Sequence, residues 1–154
     1  MLEHGLAALY AFDGKRVAGL RALVSSNMPD SAFLAELPGA HEIAASWVLK
    51  ARAESGGLSE EAKASLYDCL PDLTEPDAIL HLLQMVQYAP PARHTSVEMI
   101  RPFLTHKRTL LRVWALDAMA RVAPADAAPL VEAALQDESA AMRARARALQ
   151  SLLS

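Results

Sequence analysis

Trp114, Asp117 and Arg121 stand three and four places apart, with Leu110 one turn earlier. On a helix these four share one side. Thirty-one places beyond Trp114 the same stripe carries Arg145, with Arg143 and Arg147 close by. An aromatic face, a carboxylate and several guanidiniums on one wall form a set that can grip a ligand. The same residues can also satisfy one another. Trp114 then packs between neighbouring helices, and Asp117 and Arg121 make a surface pair worth roughly 0.2–0.5 kcal/mol. The second reading is the stronger. The chain carries 15 Lys/Arg against 18 Asp/Glu, and a nucleic-acid ligand draws most of its affinity from cations on phosphate.

Other reactive side chains offer less. His4, His41, His81, His94 and His106 never stand three or four apart, so no helical metal pair is present and capping or surface roles are expected. Cys69 lies beside Asp68. That neighbour raises a thiol pKa, so Cys69 reads as a small buried filler and not as a nucleophile. Gly-rich phosphate loops and nucleophile elbows are missing from the sequence. No catalytic residue, metal or cofactor is expected.

Composition bounds the rest. A chain of 154 residues with 53% apolar content is one domain with a real core. Abundant Ala and Leu with few aromatics favour helices. A single cysteine excludes an internal disulfide and fits a reducing compartment. The start lacks a basic region and cleavage site, and no apolar run approaches the ~18 residues of a membrane span. The expectation is a cytoplasmic protein without membrane contact. Residues 1–100 carry seven Lys/Arg against thirteen Asp/Glu, and residues 101–154 carry eight against five. The excess of three cations in the second part is small beside nucleic-acid binders and reads first as solvated helix faces; the sharper reading is a basic patch at one end that meets an acidic partner.

These side chains must be positioned by helices. Expected elements are a short helix through Leu6, Leu9 and Tyr10; one capped by Asp13; one from Asp30; and a longer one over 41–53 with Ile43, Trp47 and Val48 inward. Ser59 is expected to cap the next. Thr74 with Asp77, and Thr95 with Glu98, resemble capping boxes. A helix over 108–123 buries Leu111, Ala115, Met119 and Val122 and ends at Pro124. Asp126 then caps 127–135, and a last helix runs from Ser139 to the end. No convincing alternation of apolar and polar residues suggests a strand.

The final third reads as one unit written twice. A shift of 31 places superimposes Leu104 on Leu135, Leu111 on Met142, Arg112 on Arg143, Ala115 on Ala146 and Val122 on Leu153. A helical pair repeated at this period cannot bury its apolar side alone and needs neighbours. The run from Pro129 to Leu149, with Leu130, Leu135, Asp137, Arg143, Ala146 and Leu149, resembles the HEAT-like repeats that also occur in phycobilisome-lyase-type proteins. That resemblance implies an all-α, right-handed α-α superhelix of the armadillo type, about four to five hairpins long. One domain spans 1–154, with irregular hairpins over 1–57 and clearer repeats over 58–154. It also implies Asp137 as the cap of the last helix. In the preceding copy His106 replaces that Asp, which leaves the cap to Thr109.

Repeat stacks of this kind mostly serve as scaffolds. The expected function is a non-catalytic interaction module that binds a protein segment on its concave face, with Arg108, Arg112, Trp114, Asp117, Arg143 and Arg145 as contact residues. The stripe of Trp114, Asp117 and Arg121 also resembles the HEAT-like DNA-alkylation-repair glycosylases, which would make Asp117 an acid. This chain is shorter than that family, acidic overall, and spaces its Trp and Asp differently. Leu152, beside Leu149 and Leu153, leaves an apolar edge that either packs inward or makes a homodimer or partner surface.

Overall fold

The computed structural model describes residues 5–91 and 93–154. His4 lies outside them, and the side chains of His94 and Thr95, hence the box expected at Thr95 and Glu98, lie outside the described ones as well. The chain is all-α, as expected. Among the described residues there are ten α-helices: α1 (Ala7–Tyr10), α2 (Ala18–Val24), α3 (Asp30–Leu34), α4 (Glu42–Glu54), α5 (Glu60–Ser65), α6 (Pro76–Met85), α7 (Arg93–Ile100), α8 (Thr109–Val122), α9 (Pro124–Ala134) and α10 (Ala140–Leu153). Tighter 3-10 turns, Leu66–Asp72 and Arg101–Thr105, follow α5 and α7. No described residue forms a strand, and no described helix is long and apolar enough to cross a membrane.

The longest helices pack in succession. α4 lies on α6, α6 on α8, and α8 on α10, while α9 fills the angle between α8 and α10. α8 is the middle of this row. Beyond the expected Leu111, Ala115, Met119 and Val122 it also buries Val113, Leu116, Ala118 and Ala120. The one-sided stripe read from the sequence is therefore too narrow, because α8 has neighbours on several sides. In α4 the inward set is Ala44, Ala45, Val48, Leu49 and Ala53, with Ile43 and Trp47 only half-buried.

Several caps differ from expectation. Asp13 accepts from the backbone N–H groups of Lys15 and Arg16 and so shapes the turn before α2, whose N-cap is Val17. Thr74 makes no box. Instead Glu42, at the start of α4 and almost wholly buried, reaches across to the start of α6. Its Oε2 accepts from Thr74 N at 2.9 Å and Glu75 N at 2.8 Å, and its Oε1 accepts from Gly39 N at 3.2 Å. A carboxylate at a helix N-terminus answers the unpaired donors and the positive end of the helix dipole. Pro124 opens α9 instead of merely ending α8, because the first turn needs no N–H there. Asp126 lies in that first turn without capping it. Ser59 and Ser139 cap α5 and α10, accepting from Ala62 N and Met142 N at 3.2 Å each.

The buried Arg52 ties the first part together. Its guanidinium donates to Asp30 Oδ1 at 2.7 Å, Leu23 O at 2.7 Å and Met28 O at 2.8 Å, and lies 4.7 Å from the Phe33 ring centre. Asp30 Oδ2 accepts from Ser59 N at 2.8 Å. Burial pushes the Asp30 pKa up, but the Ser59 N–H and the Arg52 guanidinium outweigh it and hold the carboxyl below its ordinary value.

α4 and α6 share a second polar contact, Ser46 Oγ to His81 Nδ1 at 2.8 Å. Burial first, and the charge of Lys50 second, push the His81 pKa down to about 4, against a smaller opposing pull from Asp77. His81 is thus neutral in the fold at pH values where the unfolded chain binds a proton. The unfolded state takes up more protons between about pH 6.5 and pH 4, so the His81 contribution is complete above that window and is lost as pH falls through it. At ~1.36 kcal/mol per pH unit the loss is about 3 kcal/mol. Urea unfolding measured from pH 7 to pH 4 is expected to show this decline in the native chain and a much flatter profile in His81→Gln.

Candidate functional site

α8 and α10 bring the sequence-marked stripe together. Asp117 is 0% exposed, although it carries a charge. Its Oδ1 accepts from Arg121 Nε at 2.7 Å, and its Oδ2 accepts from Arg145 Nη1 at 3.3 Å. Arg145 in turn lies over the Trp114 ring, with its guanidinium carbon 4.4 Å from the ring centre. Trp114 and Arg145 are thirty-one residues apart. That separation equals the 31-place shift of the sequence, and the two side chains lie one on the other across α8 and α10.

The expected surface pair between Asp117 and Arg121 is replaced by a buried carboxylate shared by two half-exposed arginines. α8 has neighbours on the side that carries Asp117, so water is excluded there. A carboxylate in such a place must give both oxygens to donors, since leaving one partnerless costs far more than an exposed pair returns. The indole adds attraction for the Arg145 cation, about 0.5–2 kcal/mol at a partly desolvated site. Arg145 Nε is buried without a hydrogen-bond partner, an opposing cost of roughly 1–3 kcal/mol.

The other contact candidates lie at the N-terminal ends of the same helices. Arg112 donates to His106 O at 2.8 Å and Lys107 O at 3.1 Å. Arg143 donates to Asp137 O at 2.7 Å and Glu138 O at 3.0 Å. The two arginines make the same clamp on the turn before their own helix. Below them the match continues. Asp137 Oδ1 accepts from Ser139 N at 2.8 Å, and His106 Nδ1 accepts from Arg108 N at 3.0 Å. The cap expected from Thr109 is not formed; its hydroxyl instead accepts from Arg112 Nη2 at 3.2 Å. Asp137 likewise folds the turn and leaves the cap to Ser139. An imidazole thus performs in the turn before α8 what a carboxylate performs in the turn before α10, which sequence reasoning missed because the two residue types are not usually equated.

Arg108 is largely exposed and stands 4.0 Å from Asp77 across the α6–α8 junction. A cleft of about 260 Å³ opens there between Pro76, Asp77, Leu80, Arg108 and Leu110. Leu110 is 55% exposed. One side of α8 therefore runs from an open apolar end at Leu110, past Trp114, to the cationic end at Arg121.

The remaining titratable groups lie elsewhere. Cys69 is half-buried, donates to Leu66 O, and its pKa is pushed up to about 11 by burial, with Glu42, Asp68 and Asp72 adding to the rise. A thiol held in its protonated form is a poor nucleophile. Among the described residues no group of three or more His, Cys, Asp or Glu is placed to hold a metal ion. Comparison with family models, curated proteins and solved structures finds no match.

If Asp117 is the bolt between α8 and α10, its removal must strand two cations. Asp117→Ala is expected to destabilise the chain by about 3–5 kcal/mol. Asp117→Leu combined with Arg145→Met removes the charge pair that joins α8 to α10, leaves only the part-exposed Arg121 of the cluster, and is expected to recover part of that loss. Denaturant unfolding of the single and double variants measures this coupling, and strictly additive losses would place Asp117 outside any such role.

Proposed function

We propose that the chain is a non-catalytic interaction module of the HEAT-repeat kind, whose stacked hairpins present the α6–α8–α10 side as a concave face for an acidic protein segment. The occupation of Asp117 is the observation that carries this reading. With both oxygens given to guanidiniums and no exposed surface, the residue that would serve as an acid in a glycosylase has a structural task instead. That leaves the neighbouring surface for binding. Leu110 and Trp114 supply apolar and aromatic area, and Arg108 and Arg145 supply positive charge. Arg112 and Arg143 frame the same end by holding the turns. The repeated clamp at Arg112 and Arg143 supports the repeat reading of the fold, and the one half-buried thiol suits a reducing, cytoplasmic setting.

Display selection of random peptides against the immobilised full chain tests the proposal. Enriched peptides are expected to be acidic with at least one large apolar residue. Arg108→Glu and Leu110→Ser, both at exposed positions, are expected to weaken a selected peptide about tenfold or more at an unchanged unfolding midpoint. Enrichment without acidic character, or binding indifferent to both substitutions, would overturn it.

A further inference from the structure

The far end of the same face carries a second feature. A groove of about 490 Å³ crosses the row between Val86, Ala120, Arg121, Leu152 and Leu153. That size falls within the ~300–1,000 Å³ of ordinary ligand clefts. Gln87, Arg121 and Leu152, which all line it, are separated by thirty-four and thirty-one residues. Gln87 lies in the turn after α6, Arg121 in the last turn of α8 and Leu152 in the last turn of α10, so the groove runs across the C-terminal ends of these packed helices. Its walls are mostly aliphatic, and Leu152 is 49% exposed.

Arg121 belongs to both this groove and the Asp117 cluster. Two guanidiniums share the one carboxylate there, which leaves a net positive charge. Arg121 uses only Nε on Asp117, and Arg145 uses only Nη1. Their side chains are 28% and 29% exposed. Donors of the two forks thus remain for an incoming anion, beside an aliphatic trough. Paired guanidinium forks suit a carboxylate better than a point cation would.

We infer that this end of the face recognises an acidic residue adjoining a large aliphatic one, with the carboxylate bridging Arg121 and Arg145 and the aliphatic side chain seated between Val86, Ala120, Leu152 and Leu153. The inference rests on the proposed binding of an acidic segment and assigns its second anchor, opposite the Leu110 cleft. The charge of the pair selects against basic and neutral segments. The trough selects against acidic segments lacking an aliphatic neighbour.

The full chain, labelled for NMR, is titrated with a short peptide holding one Leu–Glu pair in Gly/Ser flanks, and with Leu–Gln and Ala–Glu versions. Saturable shifts of the Arg121 and Arg145 Nε–H signals and the Leu152 methyls are expected. Binding should weaken about tenfold for each altered peptide, which is ~1.4 kcal/mol. Leu152→Ser, an exposed change that spares the fold, should weaken the Leu–Glu peptide similarly. Arg121→Gln leaves Arg145 on Asp117 and should abolish the preference for Glu over Gln. Shifts confined to the Leu110 end would overturn the anchor while sparing the interaction module. An absence of shifts at millimolar peptide would overturn the anchor, and if display selection also yields no peptide, the interaction module falls with it. Self-association through the groove, seen as concentration-dependent shifts without peptide, would overturn the anchor in favour of a second copy.

Discussion

A carboxylate taken out of water must find a donor for each oxygen, and this demand fixes how the helices sit on one another. Apolar burial alone is non-directional. Rows of Ala and Leu such as those on α4, α6 and α8 would tolerate sliding by a turn. Three buried acids remove that freedom. Asp30 joins α3 to Arg52 of α4 and to the N-cap of α5. Glu42 joins α4 to the first turn of α6. Asp117 joins α8 to α10. Each spans at least two elements, and each is satisfied only in one alignment.

The junction between α6 and α8 is different. Leu82 and Met85 of α6 and Leu111 and Ala115 of α8 are apolar and buried, and among the described residues the only ion pair across the junction is the exposed, long one between Arg108 and Asp77. Such a pair contributes little. This junction also holds the Leu110 cleft and one wall of the distal groove. The face proposed for binding thus spans the junction of the α4–α6–α8–α10 row that carries the least polar restraint, where small adjustments cost little. Rigid clamps at Arg112 and Arg143 hold the turns that flank it.

Much of the fold is legible in the residues. Helix positions follow from apolar spacing, and Ser59 announces its cap because the acceptor and the donor are three residues apart. The matching turn clamps of Arg112 and Arg143 are legible because Leu111, Arg112 and Ala115 recur as Met142, Arg143 and Ala146. Burial of acids is not legible. Glu42 and Thr74 are thirty-two residues apart, and Asp30 and Arg52 twenty-two; no local pattern links them, so Glu42 reads as an ordinary first-turn acid. Asp117 with Arg121 has the spacing of a surface pair, and only the presence of α10 turns it into an interior one. His106 is hidden for another reason. Its role as acceptor depends on ring geometry that the one-letter pattern of the repeat does not encode.

Amide hydrogen exchange at Thr74 and Glu75 addresses most directly whether buried carboxylates set the helix alignment. These two N–H groups lie in extended backbone just ahead of α6 and owe their hydrogen bonds to Glu42, thirty or more residues away. Strong protection in the native chain, lost at both amides in Glu42→Ala together with fraying at the start of α6, is the predicted result. Rapid exchange at both amides in the native chain, or protection that survives the substitution, would contradict it.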